Sequence, residues 1–293
     1  MYRSIAVSLI ACLLGQFSIG AVATEDTAPA GKGGAVISSG LSGGGYWSAA
    51  SRLQSVAKET GLELEILTSA GSLENLERLT DADSPVSLAL AQADALQYYL
   101  GTNPGAAAQI QVLENIGQEC VFFVTGLGSR IRTDEDLQDS KHRLGISTPT
   151  SGIAVTFNYM KTLVPELASL EVKYVDTRAV IEQLGDPAAE VDVVMMVHRP
   201  REYSVELETA LHDPERYRLV AVEDDRLTEK LPNGQQVYRA MELAMPGDGA
   251  SSGLKTICVR GLLVANRDKL SQQQSNQLSD VVNYHWMRVF ATE

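Results

Sequence analysis

The sequence predicts an α/β protein with a mainly parallel sheet and helices on both of its faces. Two observations lead to this prediction: strand-like and helix-like segments alternate along the chain, and glycine-rich turns separate several of them. Residues 35–39 form a short apolar run typical of a buried strand, and the apolar residues of 46–60 recur at helical spacing. Alternating strands and helices favour parallel pairing, because each helix carries the chain back across the sheet.

The later elements are predicted in the same way, from local patterns. Residues 62–67 alternate apolar and acidic side chains, as a half-exposed strand does, and Ser72 is suited to cap a helix that follows. Residues 86–90 resemble the next strand, after which Asp94 is suited to cap another helix. Further strands are predicted at residues 119–124, 143–147, 172–175, 191–197, 218–222 and 256–259.

The composition excludes two classes of protein. The chain has 293 residues, of which 44% are hydrophobic, and this proportion is too high for a disordered protein. Its 37 acidic and 24 basic residues give a formal charge of −13, which argues against binding nucleic acid through bulk charge. The length allows two lobes or one large domain.

The first 23 residues have the pattern of a cleaved signal peptide. Arg3 precedes an apolar run at residues 5–14, and the small residues 21–23 fit a signal-peptidase site. A membrane anchor is an alternative, although polar residues and glycines interrupt residues 15–20. Residues 9–12 also resemble a lipoprotein cleavage box, which is a second alternative. Cleavage after residue 23 implies export.

Export changes how the cysteines are interpreted, because only Cys120 and Cys258 remain after cleavage. Both lie in strand-like segments, so a disulfide between neighbouring strands and a pair of buried free thiols are both open. A zinc site is not expected, since the two cysteines and the four histidines show no ligand spacing; the histidines are His142, His198, His212 and His285.

Three small-residue turns between a strand and a helix are candidate anion sites: residues 43–46, 71–75 and 148–152. At such turns the first N–H groups of the helix lack acceptors within the helix, and the dipole favours a negative charge. Each turn alone is more often a simple helix cap. Because ligands collect at the carboxyl ends of parallel strands, the three turns are predicted to converge on one cleft.

The motif at residues 68–79, with Gly-Ser-Leu-Glu-Asn-Leu at its centre, resembles a signature of the TAXI-type solute-binding proteins of TRAP transporters. Residues 88–95, which contain Gln92-Ala93-Asp94, are similar to the Q-x-D strand end that follows in that family. Weaker similarities extend over most of the mature chain, at residues 40–47, 136–152, 191–194 and 254–268.

This resemblance implies a two-lobed protein of the type 2 periplasmic binding protein fold, with a ligand cleft between the lobes. Lobe 1 would comprise residues 31–117 and 266–293, and lobe 2 residues 118–265. The implied function is to capture a small organic anion, a carboxylate or an amino acid, in the periplasm and to deliver it to a TRAP-type membrane permease. The resemblance implies a binding protein rather than an enzyme, without a cofactor, and a monomer is expected.

Matching the family's motifs residue by residue gives a set of candidate ligand contacts. They are Gly44, Gly45, Tyr46, Ser72, Asn75, Gln92, Thr150, Ser151 and Gly152. Simpler roles are open for some of them, since Asn75 can tie down its own loop. On a helix, Tyr46 and Trp47 point about 100° apart, so that one is expected to face the cleft and the other the core.

The sequence departs from the family pattern at three places. Trp47 stands where a second tyrosine is usual, Ile153 replaces a hydroxyl residue, and His198-Arg199-Pro200 occupies a normally uncharged loop. Arg199 is a further ligand candidate, because a guanidinium can bind a carboxylate with two hydrogen bonds. A surface ion pair between Arg199 and Glu202 is the alternative. A ligand with a carboxylate and an apolar body is the hypothesis that follows.

A serine hydrolase is the alternative function. Residues 40–44 satisfy G-x-S-x-G around Ser42, but this turn follows the first predicted strand and no oxyanion motif precedes it. Residues 42–45, 68–71 and 248–250 also resemble the oxyanion loop, nucleophile turn and aspartate motif of patatin-like lipid acyl hydrolases. That resemblance implies a dyad of Ser69 and Asp248, although Leu67 stands where the nucleophile turn needs glycine.

Overall fold

The computed structural model describes residues 34–138, 142–200, 204–245 and 253–290, and a ten-stranded sheet runs through its centre. In chain order, β1 to β10 are Ala35–Ser38, Leu64–Leu67, Leu88–Gln92, Ile110–Gly126, Arg143–Ile146, Glu171–Tyr174, Val193–His198, Tyr217–Val220, Tyr238–Leu243 and Leu254–Asn266. Helices α1 to α7 are Gly45–Glu59, Ser72–Thr80, Ala93–Thr102, Gly152–Leu163, Thr177–Ile181, Val205–His212 and Gln272–Phe290. The predicted signal peptide, residues 1–23, lies outside the described residues.

The sheet is parallel at its two flanks and antiparallel in the middle. Its strand order is β2-β1-β3-β10-β4-β7-β5-β6, with β8 paired to β4 and β9 paired to β10. On one flank β1 pairs in parallel with β2 and β3, and on the other β5 pairs in parallel with β6 and β7. The long strands β4 and β10 run antiparallel to each other between these flanks. The parallel pairing predicted from the strand–helix alternation therefore describes the flanks, while the sheet as a whole is mixed.

Strands β4 and β10 change register near their midpoints. Gly117 on β4 is opposite Gly261 on β10, and the pairing shifts between Gly261 and Leu262. The backbone of Gly117 has φ +128°, which residues with a β-carbon rarely adopt. A β-carbon on Gly261 would lie 3.0 Å from Cγ1 of Ile116. The two glycines therefore allow both long strands to bend at the same level of the sheet.

Helices cover both faces of the sheet and divide the core into three clusters. Helices α1 and α7 pack on one face, where Leu53 and Val281 are buried in the same cluster. On the opposite face α2, α3 and α4 share a second cluster, to which Leu76, Leu96 and Phe157 contribute one residue from each helix. Helices α5 and α6 pack on a third cluster. The second cluster spans the two parallel flanks, so the flanks are joined by packing as well as by the long strands.

Most predicted elements are present, with two corrections at helix starts. The N-cap of α2 is Gly71 rather than Ser72, and the N-cap of α3 is Gln92 rather than Asp94. The side chains of Ser72 and Asp94 make other contacts: Ser72 Oγ accepts from the backbone N–H of Gln92, and Asp94 Oδ2 accepts from the hydroxyl of Tyr238. The sequence analysis also missed β9, whose inward and outward residues show no clear alternation.

A disulfide joins Cys120 on β4 to Cys258 on β10. The two residues are directly opposite each other in the antiparallel pairing, and both are buried. Of the two alternatives left open by the sequence, the structure therefore has the bridged form.

Candidate functional site

A cavity of about 340 Å³ lies where the glycine-rich turns before α1, α2 and α4 meet. The carboxyl ends of β1 and β3, the middle of β4 and the end of β7 complete its wall. Most of its lining comes from the predicted turns and strand ends. The residues that line it are Gly40, Leu41, Gly44, Gly45, Tyr46, Ala70, Gly71, Ser72, Gln92, Glu119, Ser151, Gly152, Ile153, Val197, His198 and Arg199.

A second cavity, of about 490 Å³, is larger but less suited to binding a charged ligand. It lies between α7 and the adjoining ends of β4 and β10, and Arg267 is its one charged lining residue among those described. Arg267 already donates to Gln111 in the same wall. Because the smaller cavity combines helix starts with charged groups, it is the candidate site.

Residues at the starts of three helices line the smaller cavity. Helices α1 and α2 begin after Gly44 and Gly71, which have no side-chain oxygen to cap them, whereas Ser151 caps α4 by accepting from Ala154 N–H. Gly71 has φ +148°, and a β-carbon there would lie 3.4 Å from the nitrogen of Gly152. The starts of α2 and α4 thus touch through glycine backbones. Their dipoles make this part of the wall favourable for an anion.

Gln92 is held in a fixed position beside the starts of α2 and α4. Its backbone N–H donates to Ser72 Oγ at 3.1 Å, and its side-chain Nε2 donates to Glu119 Oε2 at 2.8 Å. Gln92 as a whole is 3% exposed. Within the described part of the chain, its oxygen Oε1 is buried without a hydrogen-bond partner. A buried acceptor without a hydrogen-bond partner destabilises the folded protein, and a donor that binds to it removes this penalty.

Glu119 is the one cavity residue of clear chemical importance that the sequence analysis missed. It lies on β4 beside Cys120, at the point where the strand becomes fully buried. In the sequence, the only signal for it is a charged residue directly before an apolar run. Burial raises the pKa of the Glu119 carboxyl to about 7, and the negative charge of Asp94 acts in the same direction. Arg199, Gln92 and Tyr46 oppose this rise.

Tyr46 and Arg199 bring a hydroxyl and a positive charge to the same cavity. Burial raises the pKa of the Tyr46 hydroxyl, and the nearby charge of Glu119 raises it further. This hydroxyl has no partner with hydrogen-bond geometry among the residues described. Arg199 follows β7 directly and acts electrostatically on both Glu119 and Tyr46. Glu202, its alternative partner, lies outside the described residues.

The structure therefore brings together most of the predicted contacts, but not all. Asn75 does not line the cavity: its Nδ2 donates to the carbonyls of Ser39 and Leu90, and its Oδ1 accepts from Ser38 at 2.6 Å. This side chain ties β1 and β3 to α2, which gives it a structural role outside the cavity lining. Thr150 is exposed beside the cavity and does not line it. Of the aromatic pair, Tyr46 rather than Trp47 faces the site.

Ser69, the candidate nucleophile of the hydrolase alternative, makes a side-chain hydrogen bond within its own turn. Ser69 Oγ accepts from Gly71 N–H at 3.2 Å, and the residue is buried outside the cavity lining. Asp248, its suggested partner, lies outside the described residues. The described residues include no cluster of three or more His, Cys, Asp or Glu side chains that could hold a metal ion. Across the same ranges, none of the helices has the length and apolar character needed to cross a bilayer.

Comparison with known proteins gives a match in structure but not in sequence. No family model and no curated protein matches the chain. The protein XAC2383 from Xanthomonas citri, solved bound to ATP, superposes with a TM-score of 0.50 at 12% identity over 87% of each chain. The chain has the fold of type 2 periplasmic binding proteins.

Two other solved structures are similar at a lower level. A putative periplasmic sulfonate-binding protein SsuA from Methylobacillus flagellatus has a TM-score of 0.49 at 12% identity, over 86% of this chain and 68% of its own. The substrate-binding protein of an amino acid ABC transporter has a TM-score of 0.46 at 9% identity, over 88% of this chain and 97% of its own. At identities this low, structural similarity says nothing about which ligand this cavity takes.

Proposed function

We propose that the protein is an extracytoplasmic solute-binding protein that captures a small organic anion in the 340 Å³ cavity. One observation carries this proposal: the starts of α1, α2 and α4 and the guanidinium of Arg199 converge on one cavity. Backbone N–H groups and helix dipoles favour a carboxylate, and Arg199 offers it a bidentate partner. With a formal charge of −13 on the chain, the capture of an anion depends on these local groups rather than on long-range attraction.

Delivery to a membrane permease is the second part of the proposal. The resemblance of residues 68–79 and 88–95 to TAXI proteins supports a TRAP-type permease as the partner. The structural neighbours include solute-binding proteins of transporters, which agrees with the general role. We propose that the monomer closes around its ligand, with residues 31–117 and 266–293 as one lobe and 118–265 as the other. The bend at Gly117 and Gly261 supports this boundary.

Location outside the cytoplasm has two sources of support. The signal-peptide pattern of residues 1–23 predicts export, and the Cys120–Cys258 disulfide suits an oxidising compartment. Binding without turnover is favoured over hydrolysis because the Ser69 hydroxyl is engaged in its own turn.

A thermal-shift screen of the mature protein tests the proposed function. The panel comprises carboxylates, keto acids and amino acids, and a ligand at 100 times its dissociation constant stabilises the folded state by about 2.7 kcal/mol. The Arg199→Ala variant should bind the best acid at least about tenfold more weakly, since a charge-assisted pair is lost. Arg239→Ala is the matched control, because Arg239 is exposed on β9 away from the cavity.

Two results would contradict the proposal. If no acid in the panel shifts the melting temperature, the cavity is not an anion site. If esterase activity is found and Ser69→Ala abolishes it, the hydrolase alternative is correct.

A further inference from the structure

The polar groups on the β3–β4 side of the cavity are acceptors, and they differ from the donors on the helix side. Glu119 presents a carboxylate, and Gln92 presents the oxygen Oε1, which is buried without a partner in the described structure. The amide of Gln92 is oriented by its Nε2, which donates to Glu119 Oε2 at 2.8 Å. Because a carboxylate only accepts, this bond turns Oε1 away from Glu119 and into the space beside Gly152.

An anion alone would leave this acceptor pair unsatisfied. A second carboxylate near Glu119 would add like charge in a partly buried site, and a purely apolar group would leave Oε1 of Gln92 without a donor. A ligand N–H group satisfies both. The starts of α2 and α4 lie next to this pair in the same cavity wall, and their N–H groups suit the carboxylate of the same molecule.

We infer that Glu119 and Gln92 form the amine-binding half of the site, so that the ligand is an amino acid whose ammonium contacts Glu119 and whose carboxylate contacts the helix starts. This inference rests on the proposed function and narrows it from organic anions in general to zwitterions. Glu119 is then the residue that decides between an amino acid and the keto acid of the same carbon skeleton. A cavity of about 340 Å³ accommodates an amino acid together with bound water.

Binding by this route depends on pH in a defined direction. The ammonium pairs with the ionised form of Glu119, whose pKa in the empty cavity is about 7 because of burial. Protonation therefore competes with the ligand, and affinity should fall about tenfold between pH 8 and pH 6. Tyr46, Asp94 and Arg199 act on this carboxyl from the surrounding elements, and His198 is another titratable side chain in the cavity wall.

Calorimetric titration of the mature protein, freed of bound solute by unfolding and refolding, tests the inference. The probes are matched pairs with the same skeleton: alanine and pyruvate, leucine and 4-methyl-2-oxopentanoate, glutamate and 2-oxoglutarate. The wild-type protein should prefer the amino acid of the best pair. Glu119→Gln should weaken that amino acid about 10- to 100-fold, leave the keto acid nearly unchanged and abolish the pH dependence. Glu114→Gln, on the same strand but outside the cavity lining, is the control.

Three other results would contradict the inference, and each can be told from the others. Keto acids that bind as well as amino acids, with affinity rising at low pH, would mean that neutral Glu119 donates to a carboxylate; the proposed function would then stand and the inference would fail. A pH dependence that persists in Glu119→Gln would assign the proton to another group, such as His198. If no acid of either series binds, the proposed function fails, and the inference fails with it.

Discussion

The hydroxyl of Tyr238 donates a hydrogen bond to Oδ2 of Asp94 at 2.9 Å, although 144 residues separate them in the chain. Both side chains are completely buried. Asp94 Oδ1 accepts from the N–H of Ala95, so that the carboxylate is held between the first turn of α3 and strand β9. Burial raises the pKa of Asp94, as expected for a carboxyl with little access to water. The contact joins the two predicted lobes behind the cavity.

Removal of this donor should destabilise the protein. In Tyr238→Phe the ring keeps its packing against Tyr159, whose centroid is 5.9 Å away, but the buried carboxylate loses a partner. We expect a loss of about 1–3 kcal/mol in the free energy of unfolding, measured by urea denaturation. Tyr174→Phe, at a position 52% exposed, should change stability by less than about 0.5 kcal/mol. Equal effects of the two substitutions would show that the buried bond contributes nothing.

The ligand-free protein should lose stability as pH rises through the titration of Glu119. Its pKa is about 7 when folded against an ordinary value of 4.5, so the folded state binds the proton more tightly than the unfolded chain. This contribution is complete below pH 4.5 and is lost as pH rises through about 7. Allowing for contact with cleft water, Glu119→Gln should be about 2 kcal/mol more stable than wild type at pH 8, and the difference should shrink towards pH 5. Denaturant midpoints across this range measure it; a constant difference would contradict it.

Asn75 should matter for stability and not for ligand binding. Asn75→Ala leaves two buried carbonyls and the Ser38 hydroxyl without this partner, and we expect a loss of about 2–4 kcal/mol. At a temperature where the variant stays folded, its affinity for the best acid should remain within about twofold of wild type, because Asn75 does not line the cavity. Asn283→Ala, exposed on α7, serves as the control. A large loss of affinity at normal stability would return Asn75 to the ligand site.

Gly152 is expected to tolerate no side chain. A β-carbon at this position would lie 2.7 Å from Gln92 Oε1, so that Gly152→Ala must displace the amide that orients Glu119. We expect weaker binding of the best acid and a stability loss of about 1–3 kcal/mol, measured by calorimetry and thermal melting. Gly101→Ala is the control: Gly101 lies in α3 outside the cavity lining, and a β-carbon there meets nothing within 4 Å. The control should be neutral or more stable by up to about 1 kcal/mol. Equal losses in the two variants would refute this account.

The parts of the site that the sequence predicted are those fixed by local backbone chemistry. Glycine turns before amphipathic segments were enough to find the starts of α1, α2 and α4, and the strand ends followed from their apolar runs. Glu119 was missed because its importance arises from tertiary structure. The fold brings the end of β3 near β4, so that Gln92 Nε2 donates to Glu119 Oε2 at 2.8 Å. Asp94 and Asn75 were given local or ligand roles for the same reason, since their partners on β9 and β1 are distant in sequence. Long-range pairing, rather than propensity, decides these cases.

The position of the disulfide has a consequence for how the chain is made. Cys120 and Cys258 are 138 residues apart, and the second lies near the carboxyl end. The covalent link cannot form until the chain has been synthesised, or has crossed a membrane, through residue 258. Until then this bridge closes no covalent loop in the emerging chain, which stays linear over residues 120–258 and free to thread through a narrow channel.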